Sequence, residues 1–118
     1  MPPEGDGAGD ATRRVLHWML IGTRGGPMRA RILDLLRQEP QNAHRIAQRL
    51  EVQYRTILHH LDVLIRNGLV IPVGEGYGRE YFPSQWIAGH PQEFDGLLRQ
   101  LGPGWRRAPR GEGGPPRP

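Results

Sequence analysis

The spacing of apolar residues between positions 43 and 67 constrains this chain more than any other feature. AHRIAQRLE carries Ile46, Ala47 and Leu50 on one stripe. After only Glu51, Val52 and Gln53 the period resumes, and YRTILHHLDVLIRN places Ile57, Leu61, Leu64 and Ile65 at i, i+4, i+7 and i+8. Residues at that spacing line one side of a helix. Asn42 is suited to cap the first helix, and Asn67-Gly68 closes the second with residues that tolerate a left-handed backbone. Three intervening residues make a tight turn between the two helices.

Directly after Gly68 the period changes. LVIPV (69–73) and REYF (79–82) are short β-type runs, the first holding Pro72, which fits an edge strand. Between them lie Gly74, Gly76 and Gly78. A phosphate cradle needs its glycines between a strand and a helix N-terminus. Here the loop runs from strand to strand, Arg79 stands where a further glycine would be required, and no Gly-Lys-Ser/Thr occurs. The glycines therefore read as a hairpin reversal with positive φ.

Further helices flank this unit. Thr12 is suited to cap one carrying Val15, Leu16, Trp18, Met19 and Leu20, stopped by Gly22. Gly25-Gly26-Pro27 breaks the chain, and Pro27 opens MRARILDLLRQE, with Met28, Ile32, Leu35 and Leu36 on one face. A last helix has Pro91 near its start and Phe94, Leu97, Leu98 and Leu101 at helical spacing. Residues 1–11 and the Pro/Gly/Arg tail 102–118 lack apolar pattern and are expected to be disordered, leaving 12–101 as one domain. The tail's four arginines against one glutamate suit either plain solvation or nonspecific contact with nucleic acid.

Two helices across a short turn, followed at once by a hairpin, make a winged helix-turn-helix. The fold expected is mainly α with a small β-hairpin: three core helices, a wing and flanking N- and C-terminal helices. IAQRLEVQYRTILHHLDVLIRNGLV followed by GYGREYF resembles the ArsR-type winged-helix regulators, particularly the compact ones common in archaea. Ala47 matches the small residue where the helices cross, His60-Leu61-x-x-Leu64 lies in the recognition helix, and Asn67-Gly68-Leu69-Val70 leads into the wing. The resemblance covers about residues 27–83. Its turn usually carries glycine where this chain has Glu51, which implies strain or a different shape there. Some members sense metals through cysteines, and this chain has none.

The resemblance implies a DNA-binding transcriptional regulator, with helix 53–67 in the major groove and wing 69–82 on the flanking backbone or minor groove. With Ile57, Leu61, Leu64 and Ile65 facing the core, Gln53, Tyr54, Arg55, Leu58 and His59 form the candidate base-reading face. Arg55 can grip guanine and Gln53 adenine, while Leu58 suits a thymine methyl and His59 a base edge or phosphate. Tyr54, on the same face, and Thr56 are well suited to phosphates. His44 and Arg45 near the preceding helix start, with Tyr77 and Arg79 at the wing, complete the backbone set. Each has a plainer reading: Arg55 as a solvated helix residue, Tyr77 packed on its hairpin, Arg49 solvated. His60, beside the core face, reads as a packing residue bonded to backbone.

Composition agrees without deciding. All sixteen cations are arginines, forks that fit phosphates and guanine edges, yet the net charge is only +4. Residues 28–82 hold eight arginines against six acids, which keeps a second reading open: a winged helix that binds protein or RNA. With 36% apolar residues, a mean hydropathy of −0.60, no cysteine and no membrane-length apolar run, the chain reads as soluble and cytoplasmic. Among the histidines only His90-x-x-Glu93 with Asp95 looks ligand-like. No catalytic group, metal, cofactor or small-molecule ligand is assigned, and the chain reads as a non-enzyme. The helices of Val15–Ile21 and Phe94–Leu101 are expected to form a two-fold homodimer, closure of the monomer's own core being the plainer alternative.

Overall fold

The computed structural model describes residues 4–107, with side chains from Gly9 onward. Helix α1 (Glu4–Ile21) leads to α2 (Gly26–Gln38), strand β1 (Gln41–Asn42), α3 (Ala43–Leu50) and α4 (Tyr54–Arg66). Strand β2 (Val70–Val73), a 3-10 turn at Gly76–Gly78 and β3 (Glu80–Pro83) follow, then α5 (Gln85–Gly89) and α6 (Pro91–Arg99). No helix among the described residues is long and apolar enough to cross a membrane.

This is the winged helix-turn-helix expected, with differences at its margins. The hairpin becomes a three-stranded antiparallel sheet in the order β1-β3-β2, because Gln41 and Asn42 pair with Tyr81 and Glu80. Pro72 sits on β2, an edge strand, where its missing N–H costs no ladder bond. Gly74 and Gly76 take the expected positive φ, +91° and +64°.

Helix α1 starts at Glu4 rather than at a Thr12 cap, so the expected N-terminal arm is helical from residue 4. Tertiary contact explains part of this. Gly9 lies so close to Trp86 that a Cβ there would stand 3.2 Å from the indole nitrogen, and Arg13 pairs with Glu93 of α6. Residues 102–107 form turns that place Trp105 against the core. The rest of the expected tail, residues 108–118, lies outside the described residues.

One core unites the elements. It takes Leu16, Met19 and Leu20 from α1, Met28, Ile32, Leu33 and Leu36 from α2, and Ile46 and Leu50 from α3. Ile57, Leu61 and Leu64 of α4 join it, with Phe94, Leu97 and Leu98 of α6. The apolar stripes of α1 and α6 are thus buried within one chain; Trp18, at 62% exposure, is the exception. Helices α1 and α2 approach so closely that a Cβ on Gly26 would lie 1.9 Å from the Leu20 carbonyl oxygen. Only glycine fits there.

Candidate nucleic-acid interface

The turn between α3 and α4 sets the geometry. Glu51 adopts φ 57°, ψ 48°, the left-handed conformation that glycine takes most easily. The reversal lets Val52 donate its N–H to the Ala47 carbonyl and bury its side chain. Asn42 caps α3 as expected, its side-chain oxygen accepting from the Arg45 N–H at 2.9 Å. Gln53 occupies the N-cap position of α4 without a side-chain capping bond, so its amide stays uncommitted to the helix.

On α4 the helical period divides the side chains. Ile57, His60, Leu61 and Leu64 are buried; Gln53, Arg55, Leu58 and His59 are exposed, and Tyr54 and Thr56 are half-buried. Arg55 makes no ion pair or hydrogen bond among the described residues, whereas Arg66 on the same helix pairs with Asp62 at 2.8 Å. Among the described residues, the flanking segments leave Arg55, Leu58 and His59 of this outer face exposed.

The wing tip meets the starts of both helices through aromatic rings. His44 of α3 stacks on Tyr54 of α4, centroids 4.2 Å apart and planes within 10°. Tyr77 lies 5.3 Å from His44 and 6.4 Å from Tyr54, yet remains 75% exposed. Sequence alone suggested these residues individually but not their contact, since more than twenty residues separate Tyr54 from Tyr77. A shallow concavity of about 380 Å³ opens beside the stack, lined by Ala47, Val52 and Gln53 among others.

The remaining arginines are partly committed. Arg79 donates through Nε to the Gly74 carbonyl at 3.2 Å, bracing the wing. Arg45 and Arg49 both approach Glu39, at 3.8 and 3.6 Å, and all three are about half exposed. Such solvent-screened pairs are weak and easily exchanged for another anion.

Behind the outer face lies a buried polar cluster. Arg29 of α2, 7% exposed, donates to the Met19 carbonyl through Nε at 3.3 Å and Nη2 at 3.2 Å, and to the Thr23 hydroxyl. It thereby satisfies a carbonyl in the last turn of α1, where no helical N–H is available. Its Nη1 stands 3.3 Å from His60 Nδ1. A guanidinium can only donate, so Nδ1 must carry the lone pair and His60 is neutral. Burial, then the Arg29 and His59 charges, pushes the His60 pKa down to about 4. His60 is thus a packing residue as expected, although this partner is a buried side chain rather than backbone.

Comparison with known proteins agrees with this geometry. Residues 25–73 match the family described as a helix-turn-helix domain. HlyU from Vibrio cholerae N16961 is similar in structure, with a TM-score of 0.56 and 22% identity over 84% of this chain and 97% of that one. An ArsR-like transcriptional regulator from Rhodococcus sp. RHA1 gives a TM-score of 0.50 and 27% identity, over 82% of this chain and 79% of its own. No curated protein matches the sequence. Fold and matched domain define the class: a winged helix-turn-helix protein of the kind that serves as a DNA-binding transcription regulator. Within that class the chain is similar to the ArsR-like regulator from Rhodococcus.

Proposed function

We propose that the protein is a sequence-specific regulator that reads double-stranded DNA by laying α4 in the major groove. Arg55 carries this reading: it is an exposed guanidinium with no partner among the described residues, on the outer face of the recognition helix. Arg55 would grip guanine bidentately, with Gln53, Leu58 and His59 reading neighbouring bases. Tyr54 joins that face through its stack on His44, and Thr56 and Arg45 supply phosphate contacts. Tyr77 and Arg79 put the wing on the flanking backbone or minor groove.

A two-fold dimer through the outer helices would present two such faces to a palindromic site. Its support is the exposed Trp18 on α1 rather than a shortage of core, since the stripes of α1 and α6 are already buried. No catalytic role, metal or cofactor is part of this reading. A protein-binding role has a narrower footing, Ile71 and Val73 exposed on edge strand β2, where Pro72 removes a backbone donor.

Selection of bound duplexes from a random DNA pool tests the proposal. Enrichment of a two-fold-symmetric motif, with affinity falling steeply as salt rises, is the expected result. A pool that does not diverge from its input would overturn it.

A further inference from the structure

After α6 the chain folds back across the molecule. Gly102 and Gly104 take φ +81° and +89°, and Trp105 packs against the core. Arg106 lies 4.7 Å over the Trp105 ring and 3.9 Å from an Asp34 carboxylate oxygen. Between this segment and α2 is a cavity of about 150 Å³. Leu35, Leu50 and Trp105 give it apolar walls, and Arg31, Asp34 and Arg106 give it charge.

Arg31 is the unusual member. Its Nη1 is buried and has no hydrogen-bond partner among the described residues. Asp34, the carboxylate lining the same cavity, is already engaged: Arg37 donates to it through Nε at 3.0 Å, and Gln38 at 3.4 Å. Glu51 favours the Arg31 charge from a distance, but burial is the larger influence and lowers its pKa. A cationic N–H removed from water without an acceptor is costly. An apolar-walled cavity with a few convergent polar groups is the usual form of a small-molecule site.

We propose that this cavity binds a small organic carboxylate, its oxygen accepting from Arg31 Nη1 and its apolar body lying against Leu35, Leu50 and Trp105. Two cations against one acid in the lining favour an anion over a cation or a neutral molecule. The apolar walls favour an organic acid over an inorganic ion, and a cavity of this size holds a body about as large as benzene. The site shares no residue with the DNA-reading face, so each reading stands or fails alone.

Benzoate is a fitting probe, titrated into the full chain and followed by amide and indole ¹H–¹⁵N shifts. Saturable shifts at the Trp105 indole, Leu35 and Leu50 are expected. Benzamide, isosteric and uncharged, should bind about tenfold or more weakly, as should benzoate to Arg31→Met, because a charge-assisted hydrogen bond is lost in both. Shifts that never saturate, shifts elsewhere on the molecule, benzamide binding as well as benzoate, or full affinity in Arg31→Met would each overturn the site. If Arg31→Met does not fold, the benzoate–benzamide comparison on the unaltered chain decides.

Discussion

The two faces of α4 use the same residue types for opposite ends. His60 points inward beside Arg29, and both are enclosed, hydrogen-bonded and tied to the last turn of α1. His59, next in the chain, is exposed on the outer face with Arg55. About 100° of helical rotation separates neighbours, and that rotation alone decides which imidazole becomes structure and which is available to a partner. Inside, the low dielectric makes each unmet polar group expensive, so the cluster is saturated. Outside, water satisfies Arg55 until something better replaces it.

The sharpest way to break this contrast is acid. Histidine in an unfolded chain titrates near 6.5, whereas folded His60 titrates at about 4. Between those values the unfolded state holds more protons, so stability is fully present above the unfolded pKa and lost as pH falls toward the folded one. At about 1.4 kcal/mol for each tenfold, the loss amounts to about 3 kcal/mol. Urea unfolding at stepped pH measures it. His60→Gln keeps an acceptor for Arg29 but cannot titrate, so its stability should fall less steeply than that of the unaltered chain between about pH 6.5 and 4. Parallel profiles for the two would mean that His60 is not held neutral by its surroundings.

The outer face makes the complementary prediction, conditional on the proposed function. Arg55→Ala should weaken binding to a selected duplex by about 1–3 kcal/mol and relax preference at one base pair. Stability should move by less than about 0.5 kcal/mol, as for other surface sites without partners. Competition binding with single-base variants, alongside urea unfolding of the same protein, separates the two effects. A stability loss without a change in discrimination would move Arg55 to the structural side of the comparison.

What the sequence disclosed follows the range of the forces involved. Helices α2, α3, α4 and α6 were legible because their stripes, Pro27, the Asn42 cap and Pro91 are local signals. Strand β1 was not: two residues carry no periodicity, and their pairing with Tyr81 and Glu80 spans about forty positions of chain. Helix α5, five residues long, is too short to show a period. The start of α1 was misread because EGDGAGDA has no apolar stripe, while the Trp86 and Glu93 contacts come from the far end of the domain. On α4, burial followed from spacing, but the identity of His60's partner did not, because Arg29 lies thirty-one positions away. The exposed residues of the candidate site were found by subtraction from the core. The clustering of His44, Tyr54 and Tyr77 is a tertiary fact that no local pattern encodes.

The smallest expected effect concerns Glu51, which belongs to neither face yet fixes the angle between α3 and α4. A residue with a Cβ in the left-handed region costs about 1–2 kcal/mol. Glycine removes that cost but gives back roughly 0.5–1 kcal/mol through the freedom it gains when unfolded. Glu51→Gly should therefore raise stability by about 0.5–1 kcal/mol, read as a higher urea midpoint at unchanged slope. Its side chain is exposed, and the backbone conformation is one that glycine reproduces, so the placement of Arg55 and any DNA affinity should stay the same. A fall in stability would mean that the Glu51 charge acting on half-buried Arg31 outweighs the backbone strain. The turn would then draw on electrostatics from the cavity side of the molecule, and the boundary between the two faces would lie elsewhere than at the helix surface.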